Sequence, residues 1–146
     1  CSVRFLGMLD EHLEPMPGAF EMFATLEQRG LPKAVATSSP IRFLNNLMGR
    51  FDGLFQRFEF ALTAENVERG KPNPEIYLKA AARLGIDPSE MLVFEDSEAG
   101  TNAASAAGAF VISVPHEHSR YHDFSNACRI ADTLRDPLIV EVLNVA

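Results

Sequence analysis

The sequence has little cysteine and little positive charge, and both shortages narrow what the protein can do. Only two of its 146 residues are cysteines, Cys1 and Cys128, with no Cys-x-x-Cys pair or cysteine–histidine spacing around them. Neither a disulfide framework nor a zinc site is indicated, and a reducing compartment such as the cytoplasm is expected. The 13 lysines and arginines stand against 20 acidic residues, which gives a net charge of -7. This balance argues against nucleic acid and anionic membranes as partners, because both require clustered basic surface.

Long apolar runs and glycine-rich nucleotide loops are missing as well. A membrane-spanning helix needs about 20 consecutive apolar residues, and the sequence contains no such run and no signal-peptide pattern. The patterns GxxxxGK[ST] and GxGxxG do not occur, which disfavours a P-loop nucleotide hydrolase and a dinucleotide-binding Rossmann domain. A chain of 146 residues is long enough for one domain with a sizeable core.

Amphipathic segments and short apolar runs alternate along the chain. They predict helices over 18–29, 40–49, 74–85, 97–107 and 136–145, and strands over 33–36, 58–62, 91–94, 109–114 and 129–131. Ser39 is expected to cap the second helix, since Pro40 suits a first helical position. Core and edge packing is the expected role of four phenylalanines: Phe51, Phe55, Phe58 and Phe60. The alternation predicts an α/β fold with a parallel, doubly wound sheet.

Polar residues follow three of these segments and are expected to converge on one crevice. Thr37 and Ser38 follow the first strand, Lys71 lies in the loop GKPNP, and Glu95 and Asp96 end the apolar run MLVF. Open α/β sheets bind ligands at the carboxyl ends of their strands. Adjacent acids are hard oxygen ligands of the kind that Mg²⁺ takes, and a hydroxyl, backbone N–H groups and an ammonium suit a phosphoryl group. Phosphoryl chemistry with Mg²⁺ is therefore the expected use of this crevice.

Simpler roles remain open for the acidic pair. Asp96 or Ser97 could cap the next helix while Glu95 faces solvent. A polar loop after the fourth strand carries three further candidate metal ligands: His116, His118 and His122. Histidines in such a loop are more often solvated than bound to a metal.

The segments AVATSSP, GKPNPEIYL and MLVFEDSEAG, in this order and spacing, resemble the second, third and fourth motifs of the haloacid dehalogenase (HAD) superfamily. The resemblance covers nearly the whole chain from Pro15 on and is strongest to the phosphatase and β-phosphoglucomutase-like branch. It implies a Rossmann-like, three-layer α/β/α core and Mg²⁺-dependent hydrolysis of a small phosphorylated metabolite through an aspartyl-phosphate. A phosphosugar mutase and a non-catalytic remnant that binds a partner are the alternatives.

The resemblance also implies a role for each motif residue. Thr37 matches the phosphate-binding hydroxyl, and Ser38 is expected to add its backbone N–H. Lys71 matches the lysine that neutralises the nucleophile and the phosphate. Glu95 and Asp96 match the Mg²⁺-binding acids, where the dehalogenases proper carry neutral polar residues.

The family's first motif, an Asp-x-Asp pair at the end of the central strand, has no counterpart in this sequence. Asp10 does not qualify, because no apolar strand precedes it and no aspartate follows two residues later. Residues 1–14 instead resemble the last helix of a cap returning to the core, and residues 15–146 resemble the hydrolase core. Because the chain starts at Cys1, we expect the nucleophile and most of the cap to lie upstream. The strands ending near Thr37 and Glu95 should then lack the central strand between them, and the 146 residues alone should be inactive.

Overall fold

The computed structural model describes residues 16–145 as an α/β protein. The helices are α1 (Ala19–Gln28), α2 (Ile41–Met48), α3 (Glu75–Leu84), α4 (Glu98–Ala107) and α5 (Pro137–Val145). The strands are β1 (Ala34–Ala36), β2 (Phe60–Leu62), β3 (Leu92–Glu95), β4 (Phe110–Ser113) and β5 (Arg129–Ile130). Every helix and strand predicted within this range is present, with its ends shifted by at most two residues. The prediction of a returning cap helix in residues 1–14 lies outside the described residues.

The strands pair only in parallel, but they form two separate ladders. β1 pairs with β2, and β3, β4 and β5 follow one another in a second ladder. Within residues 16–145, no ladder joins β1 to β3. The expectation that β1 and β3 are not direct neighbours is therefore confirmed.

Side chains on the strands alternate between two helix layers. Leu92 and Phe94 of β3 join Val35 of β1 in a cluster with α1, α2 and α5. Val93 and Ala34 face the opposite way, into a cluster with α3 and α4. Because both clusters receive side chains from β1 and β3, the two ladders lie between the same helix layers. This is the three-layer α/β/α arrangement that the resemblance implies.

Two local predictions are wrong. Ser39 does not cap α2; both carboxylate oxygens of Glu65 instead accept the Ile41 N–H, each at 3.1 Å. The cap comes from a residue 24 positions away, so no local pattern could reveal it. Phe55 is 40% exposed rather than packed, because it lies in a short 3-10 turn at the surface. No helix within the described range is long and apolar enough to cross a membrane.

Candidate functional site

The carboxyl ends of β1 and β3 open into one cavity of about 260 Å³. Its wall includes every site residue predicted from the sequence: Thr37, Ser38, Lys71, Glu95 and Asp96. The rest of the wall comes chiefly from the start of α4 and from the loop after β4: Ser97, Ala99, His116, Ser119 and His122. Two parallel strands held between the same helix layers end at the same edge, and this places the residues that follow them side by side.

Thr37 and Ser38 form the turn that leaves β1. The Thr37 N–H donates to the carbonyl of Leu62 at 3.0 Å, one residue beyond the β1–β2 ladder. The Thr37 hydroxyl oxygen accepts the Ser39 N–H at 3.1 Å. Ser38 is exposed, and its N–H donates to no acceptor among the residues that the structure describes. A backbone N–H of this kind is a natural donor to an anion.

Lys71 and Glu95 form a buried ion pair, with side chains 8% and 2% exposed. The ammonium of Lys71 also donates to the carbonyl of Ala36 at 3.4 Å. The hydroxyl of Tyr77 donates to Oε1 of Glu95, the same oxygen that Lys71 contacts. Burial, together with the negative charge of Glu95, raises the pKa of Tyr77 well above its usual value. Tyr77 therefore stays protonated as a donor.

The start of α4 lies directly against the Glu95 carboxylate. Ser97 caps the helix, since its Oγ accepts the Gly100 N–H at 3.1 Å, and this Oγ lies 3.3 Å from Oε2 of Glu95. A Cβ on Gly100 would lie 1.9 Å from that same Oε2. Only glycine lets the carboxylate rest on the helix backbone here. The capping role considered for Ser97 is thus correct, whereas Glu95 is buried rather than solvated.

Asp96 is 17% exposed, and its Oδ2 lies 3.4 Å from Nε2 of His116. His122 also lines the cavity, with Nδ1 accepting the Glu98 N–H at 3.4 Å. His118 is exposed and is not part of the cavity wall. Across residues 16–145, no three or more histidine, cysteine or acidic side chains come together as a metal site. The histidine loop therefore gains no support as a metal centre.

The two acids at the end of β3 can be tested for their fit to Mg²⁺. This ion commonly binds through one or two carboxylates, while water and phosphate oxygens fill the other positions. Asp96 borders the cavity and is partly exposed, whereas Oε1 of Glu95 already accepts hydrogen bonds from Lys71 and Tyr77. The donor set fits a Mg²⁺ ion held mainly by Asp96.

Sequence reasoning assigned no role at the site to Tyr77. The residue is fully buried in α3, and a buried tyrosine hydroxyl generally requires a hydrogen-bond partner. That requirement could have indicated that the Tyr77 hydroxyl has a polar partner, but the sequence does not reveal that the partner is Glu95, 18 positions away.

Comparisons with known proteins agree with this architecture. The sequence profile of haloacid dehalogenase-like hydrolases matches residues 2–108. The bifunctional riboflavin kinase/FMN phosphatase of Arabidopsis thaliana is 33% identical over 132 residues, which are 90% of this chain and 35% of that protein. Hexitol phosphatase B of Escherichia coli is 35% identical over 112 residues, which are 77% of this chain and 50% of that protein.

A solved structure gives the same result for the fold. The crystal structure of CbbY from Rhodobacter sphaeroides in complex with phosphate aligns with a TM-score of 0.77 and 29% sequence identity. The alignment covers 82% of this chain and 54% of that one. The chain thus spans about half of CbbY, half of the hexitol phosphatase and a smaller share of the plant protein.

Proposed function

This chain belongs to the haloacid dehalogenase-like hydrolase family, and from that premise we propose that its cavity serves the Mg²⁺-dependent hydrolysis of a phosphate monoester. The observation that carries the proposal is the convergence of Thr37, Ser38, Lys71 and Asp96 on one cavity. The relatives named for FMN and hexitol phosphatase activity support a small phosphorylated metabolite as the substrate class.

The turn after β1 would bind the phosphoryl oxygens. The exposed Ser38 supplies a backbone N–H, and Thr37 supplies a hydroxyl beside it. The amino-terminal end of α4 also borders the cavity through Ser97 and Ala99. A helix start carries a partial positive charge, which favours an anion at this place.

Lys71 would neutralise negative charge on the phosphoryl group and on the attacking carboxylate. Its ion pair with Glu95 and its hydrogen bond to the Ala36 carbonyl fix the ammonium at the carboxyl end of β1. A donor fixed before the reaction does not have to reorganise in the transition state, so it stabilises developing charge efficiently.

Asp96 would hold the Mg²⁺ ion, with Glu95 adding a direct or water-mediated contact. When bound, such an ion neutralises charge on the phosphoryl oxygens. The covalent step needs a carboxylate nucleophile, which we assign to an aspartate on a strand between β1 and β3, as the family resemblance implies. The phosphoryl group passes from the ester oxygen to this carboxylate, and the leaving oxygen takes a proton from solvent. Water then attacks the phosphorus of the aspartyl-phosphate, which releases inorganic phosphate and restores the carboxylate.

Turnover by the full protein on FMN and a panel of sugar and hexitol phosphates tests the proposal. Lys71→Ala should lower kcat about 100-fold or more, because a preorganised donor is typically worth ~2.7–4 kcal/mol. The matched control is Lys79→Ala, which removes a half-exposed ammonium paired with Glu75 on α3. Full activity of Lys71→Ala would contradict the proposal, and a higher KM with normal kcat would limit Lys71 to substrate binding.

A further inference from the structure

His116 belongs to none of the sequence motifs, yet its ring contacts the acid on which the proposed function depends. The imidazole Nε2 lies 3.4 Å from Oδ2 of Asp96, and the two side chains are only 18% and 17% exposed. His116 also forms part of the cavity wall. The ring therefore lies beside the proposed metal ligand, within the same cavity.

The second ring nitrogen indicates which nitrogen carries the proton. Nδ1 of His116 accepts the backbone N–H of His118 at 3.0 Å. An accepting nitrogen bears no proton, so the neutral ring carries its proton on Nε2, the nitrogen nearest Asp96. The nitrogen that carries the proton is therefore the one that lies 3.4 Å from Oδ2 of Asp96.

The loop holds this ring in place. Ser119 is 1% exposed, and its Oγ accepts the His116 N–H at 3.0 Å while its own N–H donates to the His116 carbonyl at 3.1 Å. The His122 N–H donates in turn to the Ser119 carbonyl at 2.9 Å. Both backbone groups of His116 are thus bonded within the loop, which limits the positions that its ring can adopt.

From this geometry we propose that His116 is a positioning residue, which donates to Asp96 and holds the carboxylate in the orientation that binds a divalent cation. The inference rests on the proposed function, because that function makes Asp96 the ligand. Groups that hydrogen-bond to metal ligands orient them, and replacing such a group typically lowers metal affinity or activity about 10–100-fold. Without the His116 donor, the Asp96 carboxylate would lose one of the contacts that orient it before the cation binds.

Three variants of the full protein separate positioning from loop stability. His116→Phe keeps a ring without nitrogen atoms, and His116→Gln keeps an N–H donor on an unbranched chain. His118→Phe is the matched control, because it removes the imidazole of an exposed residue of the same loop but keeps an aromatic ring against the His116 ring, whose centroid lies 5.8 Å away, and the backbone N–H that bonds to His116. Titration calorimetry measures Mg²⁺ affinity without substrate, and steady-state kinetics gives kcat and KM.

We expect the Mg²⁺ dissociation constant to rise about 10–100-fold in His116→Phe, to recover in part in His116→Gln and to stay unchanged in His118→Phe. If the wild type binds Mg²⁺ and His116→Phe binds it with the same affinity, the role proposed for His116 is wrong, but the proposed function is not affected. Equal losses in His116→Phe and His118→Phe would assign the effect to the loop. A raised KM with unchanged Mg²⁺ affinity would assign the ring to the substrate. Absence of Mg²⁺ binding by the wild type would overturn the proposed function and this inference together.

A second measurement needs no cation. Long-range ¹H–¹⁵N NMR spectra of the metal-free protein, recorded at alkaline pH, should show the His116 proton on Nε2. Replacing Asp96 by asparagine should shift that ring signal more than the signal of His118, whose ring contacts His116. A proton found on Nδ1 of His116 would overturn the inference whatever the outcome of the titrations.

Discussion

Replacing Gly100 by alanine should destabilise the protein, although such a change within a helix is normally stabilising. Alanine is favoured over glycine in helix interiors by about 1 kcal/mol, and Gly100 lies in α4. Here the new Cβ would lie 1.9 Å from Oε2, 2.0 Å from Cδ and 2.3 Å from Oε1 of Glu95. The whole carboxylate would therefore have to move.

Moving the carboxylate is costly because its partners are buried with it. Oε1 of Glu95 accepts hydrogen bonds from Lys71 and Tyr77, and the Glu95 and Lys71 side chains are 2% and 8% exposed. Breaking a buried ion pair costs about 3–5 kcal/mol. Alanine recovers about 1 kcal/mol of this cost through its higher helix propensity, so Gly100→Ala should lower the free energy of unfolding by about 2–4 kcal/mol. That is a large part of the ~5–15 kcal/mol by which a domain is stable.

Urea denaturation of the full protein, followed by far-UV circular dichroism, measures this change. The control is the same substitution in a Glu95→Ala background, where no carboxylate occupies the space beside Gly100. There, Gly100→Ala should be neutral or stabilising, and the difference between the two backgrounds gives the coupling energy. An unchanged or increased stability of Gly100→Ala in the wild-type background would show that the Glu95 carboxylate is not fixed in place.

Three further predictions concern other contacts. Tyr77→Phe should lower the free energy of unfolding by about 1.5–3 kcal/mol, because it removes the hydrogen bond to the charged Glu95 carboxylate. The control Tyr121→Phe, at an 88% exposed side chain, should change the free energy of unfolding by less than ~0.5 kcal/mol. Equal effects of the two substitutions in urea denaturation would contradict the Tyr77–Glu95 contact. Thr37→Val should slow turnover about 10–100-fold while Thr37→Ser retains most of it, because a hydrogen bond from the hydroxyl to a charged phosphoryl oxygen contributes ~1.5–3 kcal/mol. Equal turnover of the two variants would exclude a role for the hydroxyl. The Arg57 guanidinium bonded to Glu27 lowers the pKa of that carboxyl from 4.5 to about 2, so its stabilisation is present above 4.5 and lost as pH falls toward 2. Urea midpoints of wild type and Glu27→Gln should accordingly converge on acidification, and a gap that does not depend on pH would contradict the pairing.

The sequence could indicate the site because the chemically informative residues lie where strands end. The apolar run before Glu95 and Asp96 predicted a buried strand, and a parallel sheet brings its end beside Thr37. The residues around the cavity were thus accessible from patterns that span only a few positions.

Partners distant in the chain were not accessible in this way. Periodicity predicted a helix over 74–85, but not that the Tyr77 hydroxyl on this helix contacts Glu95. The His116 loop carries no periodic signal, and its contact with Asp96 depends on how the loop folds back over the end of β3. The separation of β1 from β3 was expected from the family resemblance, since apolar alternation does not specify the order of strands in a sheet.

Phosphate release by the full protein over a range of Mg²⁺ concentrations tests whether Asp96 holds a Mg²⁺ ion for phosphate-ester hydrolysis. The wild type should show saturable, Mg²⁺-dependent release that a chelator abolishes. Asp96→Asn keeps the shape and removes the charge, so its turnover should fall by orders of magnitude without full recovery in excess Mg²⁺. Asp52→Asn, at an exposed position outside the cavity wall, should behave as the wild type. Unchanged turnover of Asp96→Asn, or wild-type hydrolysis that persists after chelation, would contradict this role of Asp96.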